Sequence, residues 1–423
     1  MNKAKHHITV FEHETLRFDK GESKITKDQF EALEKYYGDG IPYYSLRYNG
    51  VQFNEHVGVI QVGNTVIEVL PKADKASHTE TEENKWRDIL IGMLKAVGSF
   101  EIKSTSNSNL KIKPNTILDL YFELFIKEVE YLLRNGLVKQ YRKKEGNVTA
   151  LKGSLQFGKH IQKNLTHQER FYVRYNTYDV VHQLHVILYK TISLLKNINT
   201  NAALHSRIGT LILHFPEMPD IIVSEATFNK LTFTRKNQSY KRAIDIAKLL
   251  LLHYHPDVSK GRNHVLALMF DMNKLWEQFV YASLRKHRTG GDTITAQTSK
   301  FFWEPENGYR SKIRPDIVIN KDTDNCVVLD TKWKNLNGYN PSPEDLRQMY
   351  VYHQYYGAKR VALVYPGAES SKSKGTYLHP KTSLPDEIEC SVICLSIESK
   401  INLWQLKIYN NCAEWLNLPI NQG

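Results

Sequence analysis

Ile313-Arg-Pro-Asp-Ile-Val-Ile-Asn-Lys-Asp-Thr-Asp-Asn-Cys-Val-Val-Leu-Asp-Thr-Lys-Trp333 carries the reading of this chain. Two apolar runs, 317–319 and 327–329, flank the polar turn Lys321-Asp-Thr-Asp-Asn325, which predicts two antiparallel strands joined as a hairpin. A five-residue turn centred on Thr323 sets Asp316 opposite Asp330, and the two-residue period of a strand brings Lys332 to the same face. Opposed carboxylates repel across a sheet, and charged groups on strands this apolar are costly unless something uses them. A divalent cation between Asp316 and Asp330 answers both costs, and hard oxygen ligands suit Mg2+. Lys332 then stands where it can position or activate an attacking water and neutralise charge growing on a phosphate. The competing reading is a surface hairpin with an ordinary Asp-Lys pair, since a bare Asp-x-Lys recurs by chance in chains of this length. The Pro315-Asp316 step and the flanking elements favour chemistry.

Working outward, the pattern predicts a helix over Val265–Lys286 and strands near Gln297–Trp303, Ile313–Ile319 and Cys326–Trp333. A helix over Pro343–Tyr356 follows. Ser342 caps it, Pro343 opens it, Asp345 completes a capping-box pattern and Gly357 ends it. A strand at Arg360–Tyr365 closes an α-β-β-β-α-β order, its last strand parallel to its neighbour through a right-handed crossover. Gln348 and Tyr352 share one face of the second helix, able to hold a phosphate, a base edge or Lys332, or else forming plain helix surface. Glu277, acidic on the apolar Leu275-Trp-Glu-Gln-Phe-Val280, is either a supporting or third metal carboxylate or a solvated helix residue.

The N-terminal hundred residues read as mostly β. Gly58-Val-Ile-Gln-Val-Gly-Asn-Thr-Val-Ile-Glu-Val-Leu-Pro71 alternates apolar residues on both sides of Gly63-Asn64, a two-residue hairpin turn. A loop at Ala73–Glu83, a helix over Asn84–Val97 and a polar domain boundary at Ser104–Asn109 come next. The period turns helical from Asn115, with a stripe through Ile117, Tyr121 and Phe125 that stops at Gly136. A basic stretch then interleaves Lys139, Arg142, Lys143, Lys144 and Lys152 with Tyr141 and Phe157. This is a DNA-contacting candidate or simply a solvated face. Helices at Val180–Asn197 and Tyr240–Leu252 complete the middle. The expected architecture is α+β and multidomain: a β-rich domain at 1–110, an α-rich domain at 111–260 and a C-terminal α/β domain at 261–423.

The 57 Lys and Arg outnumber the 45 Asp and Glu among 423 residues, a net charge of +12 that points to a polyanionic partner. No apolar run reaches the length of a membrane span; the longest, at Leu249–Leu252, is cut off by His253, His255 and Pro256. The N-terminus lacks the apolar core of a signal peptide, so a cytoplasmic location is expected. Cys326, Cys390, Cys394 and Cys412 lack zinc spacing and read as reduced thiols, and no P-loop or dinucleotide fingerprint is present.

Pro315-Asp316, Asp330-Thr331-Lys332 and Gln348-Met-Tyr-Val-Tyr352 together resemble the PD-(D/E)xK nuclease superfamily in a RecB-like variant. More widely the chain resembles the McrC family, the nuclease subunits of McrBC-type modification-dependent restriction systems. Val57–Lys72, Gly136–Tyr141 with Leu151–Leu155, and Arg314–Lys334 carry this likeness. After Tyr178-Asp179 the family's Asn-Arg-Ile-Leu type of helix start reads His185-Val-Ile-Leu188 here. The resemblance implies a C-terminal PD-(D/E)xK nuclease core that uses Mg2+, with Mn2+ able to substitute. The metal set would be Asp316, Asp330 and the Thr331 backbone carbonyl. It also implies a McrB-like AAA+ GTPase ring as partner, stimulated by the N-terminal β region, in which Gly63 and Asn64 are the candidate contacts. Double-stranded DNA is the expected substrate, in defence against foreign DNA. Other readings are a self-sufficient repair or branched-DNA nuclease, a non-catalytic activator of a AAA+ ring, and a structural DNA-binding protein. The intact Asp316, Asp330 and Lys332 speak against the activator, and net charge alone supports the last.

Overall fold

The computed structural model describes residues 6–21, 25–37, 42–72, 78–98, 117–255, 264–288, 291–336, 338, 340–379 and 381–416. It is a mixed α/β chain of two compact units. One is built mainly from Ser108–Leu268, the other from His7–Ile60, Val66–Asn107 and Met269–Gly423. The boundary expected at Ser104–Asn109 lies outside the described residues.

In the first unit the helix Ile117–Asn135 follows the apolar stripe, burying Ile117, Tyr121 and Phe125, and stops where Gly136 takes a φ of +82°. The helix Gln183–Ile198 starts after His182 and buries His185 completely. The His185 ring is held between the Val180 carbonyl at 2.5 Å and the Tyr240 hydroxyl at 2.9 Å, and burial lowers its pKa to about 4. His185 is thus a neutral core histidine. His253 caps the helix Lys241–Leu252. The basic stretch has no apolar alternation, yet it forms a three-stranded antiparallel sheet with Phe171–Asp179 between Gln140–Val148 and Ser154–Leu155. Cross-strand pairs hold it. The Tyr141 and Tyr178 rings lie 4.6 Å apart, and Glu145 faces Arg174.

The N-terminal hairpin forms as read, with strands His56–Val62 and Thr65–Leu70 and Gly63 at φ +57°, a conformation glycine adopts at no steric cost. The otherwise β reading misses a helix at Lys27–Tyr37, whose buried stripe is only Leu33 and Tyr36. Glu80–Ala96 begins earlier than expected because Glu80, Glu82 and Glu83 favour a helix N-terminus.

The C-terminal part of the second unit carries the hairpin of interest. The expected helix at Val265–Lys286 is instead a strand, Val265–Asp271, followed by α1 (Met272–His287). Asp271 caps that helix by accepting from the Lys274 amide at 3.2 Å. The apolar run before Asp271 has no polar face by which to tell strand from helix. Then come β1 (Ile294–Ala296), β2 (Lys300–Trp303), β3 (Ser311–Ile313), β4 (Ile317–Ile319), β5 (Val327–Thr331) and α2 (Pro343–Tyr356). The chain closes with β6 (Arg360–Gly367), β7 (Ser371–Leu378), β8 (Pro385–Ser396) and α3 (Ile401–Leu416). Six strands form one sheet in the order β1-β4-β5-β6-β8-β7, with β6 parallel to β5 and to β8. Met349, Tyr352 and Tyr356 of α2 cover the face of Val318, Val328 and Leu363. On the other side, α1 packs on β5 and α3 on β8, with the Trp404 ring 5.5 Å from Trp276 and 4.9 Å from Phe279.

Candidate active site

The hairpin takes the expected register. Ile317, Val318 and Ile319 pair with Leu329, Val328 and Val327, which extends to Asp316 opposite Asp330. Both acids lie on the face that α2 covers, at the open end of the two strands. Asp330 is only 1% exposed, and its carboxylate meets the Lys332 ammonium at 2.8 Å. Asp316 Oδ2 accepts from the Thr331 amide at 2.7 Å and from the Thr331 hydroxyl at 2.8 Å. Lys332 also donates to Gln348 Oε1 at 3.2 Å. Gln348 donates to the Tyr352 hydroxyl at 2.7 Å, and that hydroxyl donates to the Arg314 carbonyl at 3.1 Å. Gln348 and Tyr352 therefore tie the lysine to the backbone two residues before Asp316. Glu277 of α1 is buried and accepts from the Gln297 side chain, while the Gln297 amide donates to the Asp316 carbonyl at 3.0 Å.

Two neighbours escape the sequence reading. Asp345 does not complete its capping box. Its amide donates to Ser342 Oγ at 3.2 Å, but its carboxylate accepts from Lys334 at 2.5 Å and from the Tyr365 hydroxyl at 3.3 Å. Gln297 sits at φ +56°, and nothing in its sequence surroundings marks it. A lysine two residues beyond Lys332 was the available signal for Asp345.

The electrostatics follow from burial. Desolvation, and then the Asp316 charge, raise Asp330 to about 7; desolvation also raises Asp316 against its Thr331 bonds. Burial and Asp316 raise Glu277 as well. Burial opposes the Lys332 charge, but Asp330 and Asp316 outweigh it, so its pKa rises and the group stays an ammonium. A carboxyl whose folded pKa lies above its unfolded value near 4 contributes stability that is complete below the unfolded pKa and is lost as pH rises through the folded one. In EDTA, the melting temperature of Asp330→Asn minus that of the wild type should therefore rise between about pH 4 and 7 and level off above. A flat difference across that range would refute the burial of this charge.

The remaining expected residues lie elsewhere. Arg142 and Lys144 approach Asp179 at 3.1 and 3.5 Å on one face of their strand, with Lys143 on the other. Lys152 sits 4.0 Å over the Tyr175 ring, and Lys139 is exposed just before the strand. Gly63 and Asn64 form their turn. All four cysteines are free. Among the described residues, no helix is long and apolar enough to cross a membrane, and no three His, Cys, Asp or Glu side chains group around a metal position.

Residues 51–366 match the family model described as McrBC 5-methylcytosine restriction system component. The chain belongs to that family. Its fold is similar to a chain in the solved Thermococcus gammatolerans assembly of McrB AAA+ hexamers with bound McrC. The TM-score is 0.73 at 20% identity, covering 97% of this chain and 100% of that one. A chain of the Thermococcus gammatolerans McrBC complex solved by cryo-EM aligns with a TM-score of 0.49 at 21% identity, covering 66% of this chain and 87% of that one. No curated protein matches.

Proposed function

We propose that this chain is the Mg2+-dependent DNA endonuclease subunit of a McrBC-like restriction complex, with a PD-(D/E)xK core, cleaving double-stranded DNA when assembled with a AAA+ GTPase motor. The observation that carries this is the convergence of Asp316, Asp330 and Lys332 at the open end of one buried hairpin. The donor set fits a hard cation. Two carboxylates, both disfavoured as anions by burial, come from adjacent strands, and both Thr331 bonds fall on a single Asp316 oxygen. Asp316, Asp330 and the Thr331 carbonyl would hold Mg2+, or Mn2+ in its place. The bound ion supplies charge stabilisation and a more acidic water. Lys332, protonated and clamped between Asp330 and Gln348, acts as a fixed cation towards a phosphate oxygen and not as a base. Gln348 and Tyr352 orient it, and Glu277 supports Asp316 through Gln297.

The partner comes from the solved relative, which is McrC bound to McrB hexamers. By the same likeness we assign stimulation of the motor's hydrolysis to this chain, with Gly63-Asn64 as candidate ring contact and the Lys139–Lys152 stretch as candidate DNA contact. Cleavage of plasmid DNA with Mg2+, with and without the motor and GTP, tests the assignment. Robust cutting by the chain alone would favour a self-sufficient nuclease. No cutting in the assembled complex would refute the reading.

Metal binding has its own readout. Mg2+ binds the ionised pair and raises the melting temperature of the wild type by linkage. Asp316→Asn removes both repulsion and a ligand, so it should melt no lower than wild type in EDTA and gain little from Mg2+. Equal gains in the two proteins would place the ion elsewhere.

A further inference from the structure

The β1–β4 hairpin does not end at the active site. Ala296 pairs with Ile317, and beyond them the chain continues as the β2–β3 ribbon, in which Lys300 pairs with Ile313, Phe301 with Lys312 and Trp303 with Ser311. Both feet of the ribbon are fastened at the acids. Gln297 donates to the Asp316 carbonyl, and Arg314 accepts from Tyr352. The aromatic side chains of the ribbon are exposed. Phe301, Phe302, Trp303 and Tyr309 are 52%, 42%, 57% and 97% exposed, a cluster of rings that marks a contact surface. Cations stand at alternate positions, Arg310, Lys312 and Arg314, in a line that leads to Asp316. Lys312 lies 4.7 Å from the Phe301 ring. Arg310 pairs with Glu304 at 2.6 Å towards the tip, so Lys312 and Arg314 are the two of that line nearest the site.

We propose that the β2–β3 ribbon is a DNA-gripping arm, with Lys312 and Arg314 on phosphates beside the scissile one and the Trp303 and Tyr309 rings entering a groove of the duplex as wedges against base steps. The cleavage reading supplies the identity of the polymer, and the inference rests on it. Charge complementarity selects DNA over protein: the buried centre of a protein interface is depleted in lysine, whereas wedging rings beside phosphate-binding cations is a way proteins grip a duplex.

The test uses the full chain in EDTA at low salt and a fluorescein-labelled duplex, read by anisotropy. Trp303→Ala with Tyr309→Ala should weaken binding about tenfold or more, a loss of about 1.4 kcal/mol. Lys312→Ser should weaken it and lower the salt dependence by about one unit of slope. Trp303→Phe should restore most of that loss. Thermal melts of all variants should match wild type, since the altered side chains are exposed. Binding is read without metal, so a chain that binds through the ribbon yet never cuts sinks the cleavage reading alone. Unchanged binding by the Trp303/Tyr309 double variant, or no duplex binding by wild type, overturns the arm. Normal DNA binding with lost co-purification of the motor would instead make the ribbon a protein contact and equally overturn it.

Discussion

Asp330→Ala should abolish Mg2+-dependent cleavage, by about a thousandfold or more, while the chain remains folded and still co-purifies with its motor. The carboxylate is almost fully buried, paired with Lys332 and opposed to Asp316, so on the proposed function its loss removes a metal ligand and releases the lysine together. Metal-assisted charge stabilisation contributes several kcal/mol, and each 1.36 kcal/mol is a factor of ten in rate. Folding should survive because the deleted group is a charge that burial disfavours. Nicking of supercoiled DNA alongside a co-purification assay checks both halves. Residual cutting within about tenfold of wild type would remove Asp330 from the site.

The largest stability effect is expected at Trp276. Its side chain is fully buried, 5.5 Å from both the Trp333 and Trp404 rings, and its indole N–H donates to the Val364 carbonyl at 3.4 Å. Three layers therefore meet on one residue: α1, α3 and the sheet beneath the strand that carries Asp330. Trp276→Ala should cost about 3–5 kcal/mol, from lost transfer energy and the cavity left behind. Trp276→Phe keeps most of the volume and should cost less. Urea unfolding with an unchanged slope and a lowered midpoint would show this. A loss below about 1 kcal/mol for the alanine variant would mean that the tryptophan cluster does not hold the unit.

The two expectations draw on different kinds of information. The hairpin that carries Asp316, Asp330 and Lys332 was legible because it is local. A five-residue turn sets the register, strand alternation sets the face, and apolar runs leave three charged residues conspicuous. The helix at Pro343–Tyr356 was legible for the same reason, since Ser342, Pro343 and Gly357 punctuate it and the observed bounds coincide. The strand at Val265–Asp271 was not, because seven mostly apolar residues suit a buried strand or a buried helix equally. Nor was the sheet at Gln140–Val148, where long-range cross-strand pairs replace any periodic pattern.

By itself the sequence determined the local chemistry of this protein: which acids share a face, which lysine joins them, where turns and caps break the chain. Tertiary structure alone decided that Gln348 reaches Lys332, that Thr331 satisfies Asp316, that the Asp345 carboxylate meets Lys334 instead of completing a capping box, and that N-terminal and C-terminal segments share a unit. Each of these joins residues from different elements, and the energy that selects them is burial, which no short window of sequence contains.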